Sequence, residues 1–266
     1  MKFSVISSGS SGNMTYIEFR DVAFILDSGI SLPNAKERTN IDFNKVKALF
    51  VTHEHGDHTK FLRTVSKKLD VPIYISKKSF GGLLKKDRDM IKEDCKVFFI
   101  EEDSHYNILG IDIYTLKLSH DAKSCLGFIF KEDGKSLAYI TDTGFFPTNY
   151  LNVVSEVNAL IIESNHDIEM LKESSRPPEL IARILSPRGH MSNYICYQVL
   201  EKIADNIDTI VLAHVSRECN SMECLARDVI NPLKERYKGR IVVASQDEAT
   251  ELIEIWWISI WLLWGR

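Results

Sequence analysis

The seven residues Thr52-His53-Glu54-His55-Gly56-Asp57-His58 constrain this chain more than any other stretch. Three imidazoles and the Asp57 carboxylate fall within six positions, directly after the apolar run Val46 to Val51. A short apolar run bounded by polar residues reads as a buried strand. On the extended backbone that follows, alternate side chains point the same way, so His53 and His55 converge on one point. Gly56 lets the chain turn. That turn carries Asp57 and His58 to a second point, on the order of 3.5–4 Å away in two-metal hydrolases. Imidazole nitrogens with a carboxylate suit zinc, manganese or iron engaged in hydrolysis. Two cations sharing one hydroxide offer a nucleophile of lowered pKa at a fixed place.

Such a site needs further ligands, and three residues stand just past apolar strands, where α/β sheets collect functional groups. His120 follows the alternating run Ile111 to Leu118, Asp142 follows Ser136 to Ile140, and His214 follows Thr209 to Ala213. Asp27, in Phe24-Ile25-Leu26-Asp27-Ser28-Gly29, reads as a supporting carboxylate that orients the ligand loop, or as a plain turn residue.

The order His-x-His-x-Asp-His, followed by these later residues in sequence, resembles the metallo-β-lactamase superfamily from end to end. The resemblance implies two divalent cations. His53, His55 and His120 would hold one, Asp57, His58 and His214 the other, with Asp142 bridging. It further implies that Asp57 takes the proton of the attacking water. The fold implied is α/β, a four-layer αβ/βα sandwich. The pattern of elements agrees: strands in both halves alternate with helices expected near 59–69, 77–86, 178–185, 192–204 and 221–236. A chain of 266 residues buries a full core as one domain, expected over 1–250.

Five cysteines, an odd count without a Cys-x-x-Cys pair, point to free thiols in a reducing cytoplasm and away from a secreted lactamase. A net charge of −4 gives the whole chain no general attraction for nucleic acid. Between Lys60 and Lys92, however, ten basic residues stand against Asp70, Asp87 and Asp89. That segment reads either as a track for a phosphate backbone or as solvated helix faces.

Further segments narrow the substrate. Ser7-Ser8-Gly9-Ser10-Ser11-Gly12-Asn13 offers several donors for a terminal phosphate, more than a hairpin turn requires. Arg188-Gly189-His190-Met191-Ser192-Asn193 places an imidazole just before a helix capped by Ser192 or Asn193, a setting that favours an anion. With Glu163-Ser164-Asn165-His166-Asp167, Ser119-His120-Asp121-Ala122 and His214-Val215-Ser216-Arg217, these segments resemble the YycJ/WalJ family over nearly residues 1–250. That family comprises cytoplasmic bacterial and phage 5′→3′ DNA exonucleases. The resemblance implies hydrolysis of DNA in preference to RNA. His190 would stabilise the transition state or protonate the leaving group, unless it is a capping-loop histidine. Ser10, Ser11, Asn13, His190 and Ser192 are the expected substrate contacts. The competing readings are a ribonuclease, a hydrolase of small cyclic phosphodiesters or thioesters, and a metal-dependent scaffold that binds DNA ends. The last sixteen residues, 251–266, stand apart as an apolar tail holding all four tryptophans (256, 257, 261 and 264). It is too short for a membrane span of about 20 residues. A surface anchor, a contact between copies, a terminal strand and an altered reading frame all fit it.

Overall fold

Alternation decides which way each strand faces. In the strand Ala23–Leu26, Phe24 and Leu26 pack against the facing sheet while Ala23 and Ile25 pack against helices. A chain that keeps both sets apolar must cover its sheets on both sides. The computed structural model describes residues 1–255, so the readings made for residues 256–266 lie outside the described residues.

The first sheet contains β1 (Lys2–Ser7), β2 (Met14–Glu18), β3 (Ala23–Leu26), β4 (Val46–Phe50), β5 (Ile73–Ser76) and β6 (Val97–Ile100). The second contains β7 (His105–Ile108), β8 (Ile111–Leu118), β9 (Cys125–Glu132), β10 (Lys135–Ile140), β11 (Ala159–Glu163), β12 (Thr209–Ala213) and β13 (Arg240–Val243). A last strand, β14 (Ile253–Glu254), returns to the first sheet beside β1, giving the orders β14-β1-β2-β3-β4-β5-β6 and β13-β12-β11-β10-β9-β8-β7. Each sheet is antiparallel in one part, and parallel from β3 to β6 and from β10 to β13. Between the sheets Phe3, Phe24 and Phe50 meet Phe128, Phe130 and Ile161, and the Phe50 ring lies edge-on to Phe128 at 5.8 Å. Outside the first sheet, Ile25, Leu49 and Ile73 are covered by Leu62, Val65 and Phe80. Outside the second, Ile140, Ile162 and Leu212 are covered by Cys196, Leu200 and Val229. These are the four layers of an αβ/βα sandwich.

Several elements differ from the sequence expectation. The packed unit does not stop at 250, because Ile253 and Ile255 are buried between the sheets. The helix expected over 77–86 is two: Lys77–Gly82 ends at paired glycines, and Lys85–Asp94 begins after Leu83-Leu84. Glycine is a poor helix former, which explains the break. The stretch 221–236 has a π turn, Ala226–Ile230, just before Pro232. Proline lacks an N–H and its ring crowds the carbonyl four residues back, so a wider turn relieves the clash.

Pairing directions bring the C-terminal ends of β1, β3, β4, β8, β10, β11 and β12 to one rim. Asp27, Asp142 and His214, each just past a strand, adopt left-handed backbone with φ of 62°, 59° and 53°. That conformation is uncommon for residues with a side chain and costs on the order of 1–3 kcal/mol. It ends the strand abruptly and sets a polar side chain at the rim.

Candidate metal centre

The structure gathers all seven residues expected as ligands at this rim. Donor atoms of His53, His55 and His120 lie within 4.8 Å of one another, and so do those of Asp57, His58 and His214. Asp142 joins the two groups: its carboxylate closes one set with His53 and His58 and another with Glu163, His190 and His214.

Most rings are held by their far nitrogen, which leaves Nε2 for the interior. His58 Nδ1 donates to Asp27 Oδ2 at 2.8 Å, and His214 Nδ1 donates to Glu163 Oε1 at 3.0 Å. His120 Nδ1 donates to the Gly189 carbonyl at 3.1 Å, and His53 Nδ1 lies 3.0 Å from the Thr52 hydroxyl. Partners of this kind fix tautomer and ring orientation for a metal. Asp27, fully buried, also accepts from Thr52 N at 2.9 Å, and it belongs to none of the ligand groups. It is a brace, as its place before Ser28-Gly29 suggests.

Three buried polar atoms in the cluster have no hydrogen-bond partner among the described residues: His53 Nε2, Asp142 Oδ2 and His214 Nε2. An unsatisfied buried polar group costs about 1–3 kcal/mol. Cations relieve that cost, and the donor set of imidazoles and carboxylates suits borderline or hard divalent ions. Charge agrees, since Asp27, Asp57, Asp142 and Glu163 bring four carboxylates into one largely buried region. Burial pushes the His53 imidazole well below its ordinary range, towards the neutral form that binds metal. Burial opposes charge on His58 too, but Asp27, Asp142 and Asp57 outweigh it and hold His58 well above its ordinary value. His214 rises to about 10 for the same reason: Asp142, Asp57 and Glu163 overcome burial. Asp57 and Glu163 are correspondingly low despite burial, held there by His58 for the former and His190 for the latter. Carboxylates that draw protons onto nearby imidazoles draw divalent cations in their place.

Glu163, the last residue of β11, was not among the expected site residues. Oε1 accepts from His190 Nδ1 at 2.8 Å as well as from His214, while Oε2 accepts from Thr143 N at 3.0 Å and Met191 N at 3.1 Å. One buried carboxylate therefore orients a ligand ring and the His190 ring together. The available signal was an acidic residue closing an apolar buried strand, which must find partners to be tolerated there. The His190 and His214 rings stack at 5.1 Å, and His190 Nε2 has no protein partner among the described residues.

The other expected contacts are placed as follows. Ser10 and Ser11 are exposed on the loop after β1, and Ser11 Oγ donates to Gln246 Oε1 at 2.6 Å. Asn13 is buried: its Oδ1 accepts from Gly9 N at 2.7 Å, and its Nδ2 lies 3.0 Å from His58 Nε2. Ser192 is buried and caps the helix Asn193–Ile203 by accepting from Ile195 N. Asn165 braces His214 by donating to its carbonyl at 2.7 Å, and Asp167 caps the helix Ile168–Glu173. In the basic stretch, Arg63 and Lys67 pair with Asp94, and Lys78 pairs with Glu102.

Main-chain bonds lock the ligand loop from behind. Asn13 N donates to the Asp57 carbonyl at 2.8 Å, Ser28 N to the His58 carbonyl at 2.7 Å and Gly29 N to the Asn13 carbonyl at 2.8 Å. A methyl group on Gly29 would collide with the Asp57 carbonyl and crowd Asn13 N. Gly29→Ala is expected to cost about 3 kcal/mol, the upper part of the overpacking range, and to misplace Asp57. Denaturant unfolding beside metal content tests this; a variant with unchanged midpoint and full metal content contradicts it.

Comparison with known proteins agrees with this geometry. A β-lactamase superfamily domain model matches residues 24–215. The chain is 31% identical to the exodeoxyribonuclease YycJ of Bacillus anthracis over 243 residues, covering 90% of this chain and 91% of that protein. It is 30% identical to the exodeoxyribonuclease WalJ of Streptococcus pneumoniae over 264 residues, covering 96% and 98%. Among solved structures, the metallo-β-lactamase fold protein YhfI from Bacillus subtilis superposes with a TM-score of 0.70 at 16% identity, covering 94% of this chain and 98% of that one. The chain belongs to the metallo-β-lactamase-fold hydrolases of the β-lactamase superfamily, in the family of the YycJ and WalJ enzymes.

Proposed function

We propose that this protein is a metal-dependent phosphodiester hydrolase that removes nucleotides from DNA in the 5′→3′ direction. The observation that carries the reading is the convergence of six candidate ligand side chains around Asp142, the seventh, with His190 held beside them by Glu163. The exonuclease names of the two relatives, matched over nearly their whole length, support nucleic acid as the substrate.

In this reading His53, His55 and His120 would hold one divalent cation and Asp57, His58 and His214 the other, with Asp142 shared between the two groups. Zinc or manganese fits this donor set, and iron is the further candidate. Bound cations supply Lewis acidity that activates water and offsets charge on a phosphoryl group. The Asp57 carboxylate, on the accessible side of its loop, accepts the proton of the attacking water. His190 donates Nδ1–H to Glu163, so a proton carried on Nε2 is free to pass to the leaving 3′ oxygen. Exposed Ser10 and Ser11, on the loop braced by Asn13, are offered to the strand end, and Ser192 holds the His190 loop in register with its helix. All five cysteines are free, which suits a reducing compartment such as the cytoplasm. Among the described residues no helix is long and apolar enough to cross a membrane.

Digestion of 5′-labelled and 3′-labelled duplex DNA with Mn²⁺ or Zn²⁺, beside a His55→Ala variant, tests the reading. Early release of the 5′ label by the unaltered protein alone is the expected result. Absence of cleavage by metal-loaded protein, or early release of the 3′ label, contradicts it.

A further inference from the structure

Beside the metal centre, on the side of the first sheet, lies a cavity of about 560 Å³ that shares His55 with the cluster. Its lining is apolar at Leu83, Leu84 and Ile91 and charged at Glu54, Lys60, Arg63 and Asp87. A side chain built on Gly56 meets nothing within 4 Å, so the space beside it is open.

Two features of this cavity are unusual for an ordinary surface hollow. Leu84 is 75% exposed, is followed by Lys85 and Lys86, and stands at the break between the helices Lys77–Gly82 and Lys85–Asp94. A large apolar side chain in a basic surround is costly to leave in water and suits contact with a nucleobase. Lys60 and Asp87 also line one cavity without pairing to each other or to any other charged group among the described residues; Lys60 lies only over the Phe61 ring. Nearby Arg63 and Lys67, by contrast, share Asp94 as an ion-pair partner. An unpaired lysine, the carboxylates of Glu54 and Asp87 and the exposed Leu84 side chain offer contacts for the phosphate, the amino edge and the face of a nucleotide.

We propose that this cavity is the subsite for the nucleotide on the 3′ side of the scissile phosphate. Leu84 covers the base, Lys60 contacts the following backbone phosphate, and Asp87 accepts from an exocyclic amino group such as that of cytosine. The side follows from His190: it approaches from the second sheet with the leaving 3′ oxygen, whereas the cavity opens from the first sheet and receives the strand that is retained. The inference rests on the exonuclease reading and adds to it the path of the strand.

The test is fluorescence anisotropy with metal-loaded protein and a labelled single strand whose linkages are phosphorothioates, so that binding is read without cleavage. Lys60→Glu is expected to raise Kd about tenfold and Leu84→Ser about fivefold. Lys238→Glu, the same charge change at the end of the second sheet remote from the rim, is expected to stay within twofold. Both altered side chains in the cavity are exposed, so folding is not at stake. A Kd within twofold of the unaltered protein for both cavity variants overturns the proposal, as does an equal effect of Lys238→Glu and Lys60→Glu. Cleavage of 5′-labelled DNA by the unaltered protein, run in parallel, separates the two levels. If DNA is cut while the cavity variants bind normally, the subsite falls and the exonuclease reading stands. If the variants lose binding while no strand is ever cut, the exonuclease reading falls and takes the 3′-side assignment with it, leaving the cavity as a nucleic-acid contact only.

Discussion

Glu163→Gln is expected to lower kcat on a phosphodiester about 100-fold while KM changes little. The carboxylate accepts four hydrogen bonds, from His190, His214, Thr143 N and Met191 N, in a site with no solvent exposure. An amide in its place presents two hydrogens to groups that are themselves donors. Whichever way it turns, one pair of donors loses its acceptor, at about 1–3 kcal/mol for each. Facing the rings, the amide reverses the tautomer that aims His190 Nε2 and His214 Nε2 into the cluster. The loss then falls on proton transfer, which contributes about 10²–10⁴ in rate. His190→Ala is expected to be similarly slow, and combining it with Glu163→Gln to add little, because the two act as one unit. Steady-state kinetics on the three variants decides the matter. Activity of Glu163→Gln within threefold of the unaltered protein, or fully multiplicative losses, contradicts this role for Glu163.

Removing divalent cations is expected to lower Tm by about 10 °C. A ligand bound only by the folded state contributes about 2.7 kcal/mol at a free concentration 100 times its Kd, and there are two such sites in this account. For a chain of this size each kcal/mol moves Tm by about 2–4 °C. The sign follows from the cluster: without cations, the Asp57, Asp142 and Glu163 carboxylates are crowded together, and His53 Nε2, Asp142 Oδ2 and His214 Nε2 lack hydrogen bonds. Scanning calorimetry in chelator, then after Mn²⁺ or Zn²⁺ is restored, measures the shift. Equal Tm values in the two states contradict a cation-filled cluster.

How much of this centre is legible in the sequence depends on how local each part is. His53, His55, Asp57 and His58 are readable because strand geometry and a glycine turn act within six residues. His120, Asp142 and His214 are readable because each follows an apolar run that marks a strand end. Glu163 also ends such a run, yet its role depends on two rings brought from the ends of other segments, 27 and 51 residues away. The serine-rich loop shows the same limit. Ser8 Oγ accepts from His214 N across 206 residues, and Ser7 Oγ donates to Gly12 and Gln246 carbonyls, so part of its polarity serves to tie the rim together. The helix Lys85–Asp94 buries only Ile91, which leaves no apolar periodicity to read. The two residues of β14 exist as a strand only because β1 offers an edge.

Metal content per chain reads directly whether one set of side chains holds two cations around Asp142. Mass spectrometry of purified protein equilibrated with Mn²⁺ or Zn²⁺ is predicted to find two equivalents. His55→Ala and His214→Ala are each predicted to retain about one, because they belong to different ligand groups joined by Asp142. One equivalent in the unaltered protein, or two retained in both variants, would contradict the account.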